Sequence, residues 1–311
     1  MKILTTGGRG FIGSHFIEHW LEKHPSDEII DLDACTYAAN DLINLPYRHN
    51  QRYTGIIGNI CDSQVVDDLV RQVDAVVHFA AESSVDKSIT DSSAFVKTNV
   101  LGTHNIVDSC YRHQKRLHHV STDEVFGSLD LGGGKFSEET PYAPRNPYAA
   151  TKAASDHIVR SYIITHQIRA TISNCSNNYG ERQHMEKLLP TVVTKMLKGQ
   201  EVPVYGDGKN VREWLYVKDH CEGIEKILLG GKIGETYLLG GMEYNNLEII
   251  GMVSNILGIQ PKIRHVQDRK GHDLRYAIDI SKAAKDLGWT PNTDIVTGLK
   301  KTVDYYLKTM E

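Results

Sequence analysis

Two short segments combine residue types that could carry out proton and hydride chemistry. The segment Ser121-Thr122-Asp123-Glu124 places hydroxyls and two carboxylates side by side after an apolar run. Tyr148 and Lys152 have the i, i+4 spacing that puts two side chains on one face of a helix. A nearby ammonium lowers the pKa of a phenol, which makes the phenol a better base at neutral pH. Together the two segments predict one active site, built around a nicotinamide cofactor.

The Tyr–Lys spacing alone is not specific. Tyr111 and Lys115 have the same spacing, as do Tyr205 and Lys209, and for those two pairs solvated or merely packed side chains are favoured. Only the Tyr148 pair follows a proline at a predicted helix start and lies one loop after a Ser-Thr pair. We therefore take Tyr148 as the candidate base.

A simple redox site has no need of two adjacent carboxylates such as those of Asp123 and Glu124. Such a pair at a strand end is often only solvated or caps a helix. A dehydrogenase or an epimerase needs a hydroxyl and the Tyr–Lys pair, with no further acid or base. A reaction that also removes a carbon-bound proton and expels water needs both.

The N-terminus carries a glycine turn, Gly7-Gly8-Arg9-Gly10-Phe11-Ile12-Gly13, between a predicted strand and a predicted helix. Glycines let backbone N–H groups and the helix N-terminus approach a pyrophosphate. Asp33 ends the next predicted strand, where an acid binds the adenosine ribose diol and repels a 2′-phosphate. This favours NAD over NADP, although Arg9 within the turn could argue for NADP.

Strands that alternate with helices predict an α/β fold with a doubly wound parallel sheet and a smaller α+β part. The predicted strands of the first part are Lys2–Thr6, Glu28–Leu32, Tyr53–Ile57, Ala75–Phe79, Leu117–Ser121 and Ala170–Asn174. Its main predicted helices are a segment from Phe11, Val65–Val70, Ser92–Tyr111 and Tyr148–Thr165.

We expect an NAD-binding Rossmann domain over residues 1–175 and a nucleotide-sugar-binding domain over 176–311, with a segment of about 211–230 returning to the first. The second part is expected to hold the helix Lys187–Lys198 and short strands at Val202–Tyr205, Thr236–Leu239 and Lys262–Val266.

Bulk properties exclude several classes of protein. A net charge of −4 gives no reason to expect nucleic acid as a partner. No apolar run approaches the roughly 18 residues of a membrane span. The five cysteines are widely spaced without C-x-x-C, which fits a reduced, cytoplasmic chain. The 15 histidines are scattered without H-E-x-x-H, so we expect no metal.

Taken together, these motifs resemble the extended short-chain dehydrogenase/reductases, and within them the dTDP-glucose 4,6-dehydratases. TDEV and NCSNNYG are far more specific than the glycine turn, and epimerases and reductases of the superfamily lack the Asp-Glu pair. The resemblance runs essentially end to end, through TGGRGFIGSHF (6–16), DACTYAAN (33–40), HFAAESSVDKSI (78–89), TNVLGT (98–103), VSTDEVFGSL (120–129), NPYAATKAASDH (146–157), NCSNNYG (174–180), EKLLP (186–190), VYGDGKNVREWLYVKDH (204–220), GETYLLGG (234–241) and DRKGHDLRYAID (268–279).

The resemblance implies a lyase mechanism with five catalytic residues. Thr122 and Tyr148 would bind the sugar 4-hydroxyl, and Tyr148 would take its proton while hydride passes from C4 to NAD. Lys152 would lower the Tyr148 pKa and hold the nicotinamide ribose. Glu124 would remove the C5 proton, Asp123 would protonate the departing C6 hydroxyl, and hydride would return to C6. The cofactor is regenerated in each cycle.

The resemblance also implies two sets of contacts. The expected NAD contacts are Gly7, Gly10, Phe11, Ile12, Gly13, Asp33, Ala34, Cys35, Thr36, Asn59, Ile60, Phe79, Ala80, Ala81, Ser83, Thr98, Tyr148, Lys152 and Asn178. The expected contacts to a nucleotide-diphospho-hexose are Ser84, Lys87, Thr122, Asn177, Lys187, Leu188, Val192, Pro203, Val204, Tyr205, Arg212, Asn246, Arg269 and His272.

Five positions depart from the usual family pattern. Asn59 replaces an Asp that faces the adenine, and an Asn can still accept a hydrogen bond there. Ser84 replaces a His, Lys87 an Arg, Phe126 a Tyr, and Lys270 a Pro. Since Ser84 and Lys87 are expected near the cofactor and sugar, the identity of the hexose stays open.

Other functions and partners also stay open. An NAD-dependent epimerase or decarboxylase of the same superfamily would treat the acidic pair as incidental. A non-catalytic NAD-sensing scaffold would be expected to lack some of the chemistry-bearing residues, which are all present. Thymine and uracil differ by one methyl, worth roughly 1 kcal/mol, so the base stays open as well. The family resemblance implies a homodimer through the long helices at 92–111 and 147–165.

Overall fold

A seven-stranded parallel sheet with helices on both faces forms the larger part of the protein, as the sequence predicts. The structure is a computed structural model that describes residues 1–268 and 271–310. The sheet has the strand order β10-β6-β5-β4-β1-β2-β3. The strands are β1 (Lys2–Thr6), β2 (Glu28–Asp33), β3 (Tyr53–Ile57), β4 (Ala75–His78), β5 (Arg116–Thr122), β6 (Ala170–Cys175), β7 (Asn177–Tyr179), β8 (Glu201–Tyr205), β9 (Val211–Tyr216), β10 (Thr236–Leu239), β11 (Met242–Asn245) and β12 (Lys262–Val266).

The helices cover both faces of this sheet and build most of the second part. They are α1 (Phe11–Lys23), α2 (Ser63–Val70), α3 (Val85–Thr90), α4 (Ser93–Phe95), α5 (Thr103–Arg112), α6 (Pro147–His166), α7 (Leu188–Leu197), α8 (Val217–Gly230), α9 (Asn246–Leu257), α10 (Ser281–Leu287) and α11 (Ile295–Met310). No helix among the described residues is both long enough and apolar enough to cross a membrane.

The strands β4 and β6 are buried along their whole length because helices cover both faces of the sheet. Such strands appear in a sequence as nearly continuous apolar runs, which is why β4 could be predicted so easily. The parallel register brings the carboxyl ends of β1, β2, β4, β5 and β6 to one edge of the sheet. Ligands bind at this edge in open parallel sheets.

One prediction about the placement of a strand was wrong. Thr236–Leu239 does not belong to the smaller part, because β10 pairs in parallel with β6 and becomes the edge strand of the large sheet. This pairing joins segments far apart in the sequence, so no local pattern signals it. The predicted helix Ser92–Tyr111 is confirmed as a continuous helical segment, and its middle, Val96–Gly102, is a π-helix between α4 and α5. Its wider turn puts both Lys97 and Thr98 on the wall of a cavity.

The second part lies over the carboxyl edge of the large sheet. It contains a three-stranded sheet of order β11-β9-β7 and the parallel pair β12-β8. The helix α8, which lies within the segment 211–230, packs against α1. The largest hydrophobic cluster includes side chains from both parts, among them Phe16, Trp20, Leu215 and Trp289.

Candidate active site

The glycine turn after β1 is a tight backbone loop that leaves the start of α1 open. Gly7 has a φ of +74°, and a Cβ on it would lie 2.8 Å from backbone atoms of Ala80. A Cβ on Gly13 would lie 2.4 Å from the Gly7 carbonyl oxygen. Gly10 precedes α1 and no side chain caps the helix. The backbone N–H groups of the first helical turn are therefore available to an anion.

Asp33 at the end of β2 is held in place by the backbone around it. Its carboxylate accepts hydrogen bonds from the amides of Arg9 (2.9 Å) and Cys35 (2.7 Å). The Arg9 guanidinium donates to the Cys35 sulfur at 3.1 Å and is hydrogen-bonded to Tyr53. With these partners Arg9 is not among the residues that line the adjacent cavity. The turn thus presents a carboxylate to a ligand, which suits a ribose diol better than a 2′-phosphate.

A first cavity of about 620 Å³ runs from this turn along the carboxyl edge of the sheet. It extends from the glycine turn and Asp33 past Asn59 to Tyr148 and Lys152. All the predicted cofactor contacts except Cys35 line this cavity. The Cys35 side chain instead contacts Arg9, and its backbone helps to hold Asp33.

A second cavity of about 470 Å³ adjoins the first beneath the smaller part. Four residues line both cavities: Glu124, Asn177, Glu186 and Lys187. The predicted substrate contacts that line the second cavity are Ser84, Lys87, Asn177, Lys187, Leu188, Pro203, Val204, Tyr205, Arg212, Asn246 and His272.

Two predicted substrate contacts among the described residues do not line the second cavity. Thr122 lines the first cavity rather than the second. Val192 is fully buried in the hydrophobic core and lines neither cavity, whereas Thr191 on the same helix does line the second. The helix turns Val192 toward the core, which the apolar spacing of α7 could have indicated. Arg269 lies outside the described residues.

The two carboxyls after β5, Asp123 and Glu124, have different surroundings. Glu124 is half-buried on the wall of both cavities, whereas Asp123 is only 2% exposed and lines neither. Burial, Glu124 and Glu213 raise the pKa of Asp123 well above its usual range. Burial also raises the pKa of Glu124, but an Asn146 hydrogen bond and the charge of Arg212 oppose the rise. The two adjacent carboxyls therefore differ in burial, in access to the cavities and in the groups that shift their pKa values.

The Tyr148–Lys152 pair lies on one face of α6 as predicted, but the expected effect on the phenol was wrong. Burial and then the charge of Glu124 raise the Tyr148 pKa well above its usual range. The Lys152 ammonium is buried and donates a hydrogen bond to the Val120 carbonyl at 2.9 Å. Burial of the phenol therefore sets the direction of the shift.

Asn146 is a site residue that sequence reasoning missed. As the N-cap of α6 its side chain accepts the Ala149 amide at 2.8 Å, and its Nδ2 donates to Glu124 Oε2 at 3.2 Å. One side chain therefore fixes both the start of the Tyr148 helix and the carboxylate opposite it. The signal was visible, since Asn before Pro is a typical helix start.

Three further residues of the second cavity were also missed. Trp214, Asp273 and Tyr276 line its wall. The Arg212 guanidinium lies 4.4 Å from the centroid of the Tyr276 ring, and its Nη2 donates to the Asp273 carbonyl at 3.0 Å. The Tyr276 hydroxyl donates to the Asp273 carboxylate. Only the fold brings residues 273–276 against β9, so spacing in the sequence could not reveal them.

Comparison with known proteins agrees with this geometry. A family model described as GDP-mannose 4,6 dehydratase matches residues 4–302. A dTDP-glucose 4,6-dehydratase of Mycolicibacterium smegmatis is 47% identical over 98% of this chain and 93% of its own length. The crystal structure of the dTDP-glucose 4,6-dehydratase DesIV of Streptomyces venezuelae, solved with NAD bound, superposes with a TM-score of 0.95 at 45% identity, over 99% of this chain and 97% of that one.

A different activity is found on the same fold. The UDP-glucose 4-epimerase of Thermus thermophilus, in complex with NAD, has a TM-score of 0.90 at 27% identity, and the match covers 99% of each chain. The fold by itself thus leaves both activities open. Identity of 45–47% to dehydratases, over nearly the full length of each protein, is decisive. The chain belongs to the dTDP-glucose 4,6-dehydratase family of the extended short-chain dehydrogenase/reductases.

Proposed function

We propose that this protein is a nucleotide-sugar 4,6-dehydratase that converts dTDP-glucose to the 4-keto-6-deoxy sugar with bound NAD. The observation that carries the proposal is the division of the acidic pair beside Tyr148. Glu124 faces both cavities as a base, while Asp123 is buried with a raised pKa as an acid. Oxidation at C4 needs only Tyr148 as a base and NAD as the hydride acceptor, so the two carboxyls supply what water elimination requires.

NAD fits the first cavity by several independent features. The glycine turn has no room for a Cβ on Gly7 or Gly13, so its backbone stays open to a ligand. The uncapped start of α1 suits a pyrophosphate. The buried oxygens of Ser176, Asn177 and Asn178 have no hydrogen-bond partner among the described residues, although all three side chains line this cavity. Buried polar atoms are normally paired, so these oxygens indicate a polar ligand. When bound there, NAD would accept hydride from C4 of the sugar and return it to C6.

The protein's own residues would move three protons. Tyr148 would take the proton of the 4-hydroxyl, with Thr122 holding the same oxygen. Glu124 would take the C5 proton, which the new 4-ketone makes acidic, and would later give it back. Asp123, next to the cavity-lining Glu124, would donate its proton to the C6 hydroxyl as water leaves, and its Oδ2 is not engaged by another of the described residues. Lys152 would hold the nicotinamide ribose.

The second cavity has the chemistry of a nucleotide-diphosphate site. Arg212 is 9% exposed and is held in place by Asp273 and the Tyr276 ring. A planar guanidinium fixed in this way suits bidentate binding of a diphosphate. The apolar side chains of Leu188, Pro203 and Val204 could pack against a pyrimidine.

Turnover of dTDP-glucose, UDP-glucose and UDP-N-acetylglucosamine should be compared by NMR of the products. We expect the 4-keto-6-deoxy sugar from dTDP-glucose, at the highest kcat/KM of the three. A 4-epimer or a pentose as the product would overturn the dehydratase assignment. Faster dehydration of a UDP-sugar would overturn only the choice of thymine.

Replacing Gly7 with Ala should weaken NAD binding and destabilise the fold by about 2 kcal/mol. Gly7 has a left-handed φ, and the added methyl would collide with the Ala80 backbone. Thermal unfolding and a fluorescence titration with NADH measure the two effects. Gly132→Ala is the control, because its Cβ would have no neighbour within 4 Å. Unchanged NADH affinity in the Gly7 variant would contradict the proposed role of the glycine turn in binding NAD.

We also propose a homodimer, a two-part division of the chain and a cytoplasmic location. The two long helical segments expose three apolar side chains by about half or more: Val96, Leu101 and Ile164. This exposure supports helix pairing with a second copy. Light scattering should give twice the chain mass of 34.9 kDa, and a monomer at all concentrations would contradict it.

The domains would be 1–175 and 176–311, with α8 and β10 returning to the first. All five cysteines are free, which fits a reducing compartment; localising a tagged chain by cell fractionation tests this.

A further inference from the structure

The segment 271–276 lies between two parts of the site and is hydrogen-bonded to both. On one side, the Val211 amide at the start of β9 donates to the Leu274 carbonyl at 2.9 Å. On the other side, the Leu274 amide donates to the Ser128 hydroxyl at 2.8 Å. The segment is therefore fixed between β9, which carries Arg212, and the chain that follows the two carboxyls after β5.

Asp273 makes several of the contacts of this segment and is 2% exposed. Its backbone carbonyl accepts hydrogen bonds from Arg212 Nη2 at 3.0 Å and from Asn210 Nδ2 at 3.1 Å. Its carboxylate accepts a hydrogen bond from the Tyr276 hydroxyl, and the Tyr276 ring packs against the Arg212 guanidinium. Asp273 thus holds in place the guanidinium that a diphosphate would meet.

The other carboxylate oxygen of Asp273 faces Arg145. Arg145 Nη1 lies 3.2 Å from Asp273 Oδ1, as an ion pair without the geometry of a hydrogen bond. The backbones are also close here, because a Cβ on Gly271 would lie 2.9 Å from the Arg145 carbonyl oxygen. The arginine is half-exposed but the carboxylate is buried, so loss of this pair costs more than loss of a pair at the surface.

Arg145 directly precedes Asn146, the residue that contacts the base. Pro144 and Pro147 flank these two residues and restrict the backbone of the loop. Asn146 Nδ2 donates to Glu124 Oε2 at 3.2 Å. A shift of Arg145 would therefore move the Asn146 amide relative to the Glu124 carboxylate.

We propose that Arg145 and Asp273 are positioning residues that align the base Glu124 with the substrate. They act through Asn146, and Asp273 joins this alignment to the diphosphate site at Arg212. The inference rests on the proposed dehydration of a nucleotide sugar. Arg145 lines neither cavity and Asp273 lines only the second, so both act on the reaction through other side chains.

The surroundings of Glu124 give the direction of a pH effect. Burial raises the pKa of Glu124, and the Asn146 hydrogen bond opposes that rise. If Asn146 is displaced, the pKa should rise further, so the rate should begin to fall at a higher pH than in the wild type. The other charged and titratable groups near Glu124 are Arg212, Lys187, Asp273, Asp123 and Tyr148.

The test begins with Arg145→Gln in the NAD-loaded enzyme. We expect kcat and the rate of deuterium uptake at C5 to fall on the order of tenfold, with KM for dTDP-glucose within about twofold of the wild type. The fall in rate at low pH should move to higher pH. Arg145→Lys keeps the charge and should restore most of the lost rate. Arg264→Gln is the matched control, because Arg264 is an exposed arginine that pairs with Glu201 at 3.5 Å and lines neither cavity.

Two further variants locate the effect. Asn146→Ser keeps a good helix cap but is too short to reach Glu124, so it should reproduce the lower kcat and the shifted pH profile. Arg145→Gln combined with Asn146→Ser should be no slower than Asn146→Ser alone, since both changes break one chain of contacts. Asp273→Asn should lower kcat and also raise KM, because Asp273 holds Tyr276 against Arg212 as well.

The possible results are distinct. A higher KM with unchanged kcat in Arg145→Gln would mean that Arg145 binds the substrate directly, and would overturn its positioning role. Effects of Arg145→Gln and Asn146→Ser that multiply in the double variant, or an unmoved pH profile, would overturn the path through Asn146. Each of these results leaves the dehydratase assignment intact. Wild-type enzyme that forms no 4-keto-6-deoxy product would overturn the proposed function, and the inference with it.

Discussion

Replacing Glu124 with Gln should stop water loss and lower turnover by a factor of about 10²–10⁴. The amide has nearly the same shape and can still accept the Asn146 hydrogen bond of 3.2 Å, but it cannot take a proton from C5. The measurement is formation of the 4-keto-6-deoxy product in deuterated water, with deuterium at C5 as a second readout. Both signals should be lost together.

Asp123→Asn is the matched control, because it makes the same chemical change at the neighbouring position. It should also slow product formation, since Asp123 is the proposed acid for the leaving hydroxyl. It should, however, still exchange the C5 hydrogen with solvent, because Glu124 remains. If Glu124→Gln keeps C5 exchange while Asp123→Asn loses it, the two roles are reversed.

The pH dependence of this step follows from the sign of the shift at Glu124. Its pKa is raised, chiefly by burial. A base acts only when ionised, so the rate should fall as the pH drops through this raised pKa. This fall in rate at low pH should be absent from the pH–rate profile of the residual activity of Glu124→Gln.

Replacing Tyr148 with Phe should lower turnover by a similar factor of about 10²–10⁴, and it should block the first step rather than the second. The 4-hydroxyl would keep its proton, so no hydride would leave C4. Neither C5 exchange nor oxidised sugar should then be detected, in contrast to Asp123→Asn. Mass spectrometry of the unreacted nucleotide sugar, with deuterium at C4 in the starting material, measures retention of that label.

Tyr111 provides an internal control for this experiment. Tyr111→Phe makes the same change at a second tyrosine followed four residues later by a lysine, on the surface of α5 and outside both cavities. It should leave turnover unchanged. A large loss in the Tyr111 variant, or full activity in the Tyr148 variant, would contradict the assignment of the base.

The glycine turn, Asp33 and the Tyr148–Lys152 pair could be predicted from the residues because they are short-range patterns, whereas the family and most other contacts came from the resemblance. A glycine turn between a strand and a helix is a local pattern, and so is an acid at the end of the next strand. The i, i+4 spacing places Tyr148 and Lys152 on one face of α6 whatever surrounds that helix. The buried strands are apolar runs that need no knowledge of their neighbours.

The predictions that were wrong concerned properties that depend on contacts between distant parts of the chain. β10 was assigned to the wrong part because its pairing with β6 joins residues more than sixty positions apart. The pKa of Tyr148 was expected to fall because Lys152 is near in sequence. Its direction is instead set by burial and by Glu124, while the Lys152 ammonium contacts the Val120 carbonyl of β5.

The amino-acid sequence is enough to identify the chemical groups of this protein and the elements that carry them: the glycine turn for a dinucleotide, the phenol with its lysine, and the two carboxyls after β5. How the two carboxyls differ depends on the fold. Asp123 is enclosed by the packed chain and Glu124 faces both cavities, although they are adjacent residues of identical chemistry but for one methylene. Solvation and neighbouring charge set the pKa of a carboxyl, and both depend on residues brought together from the whole chain.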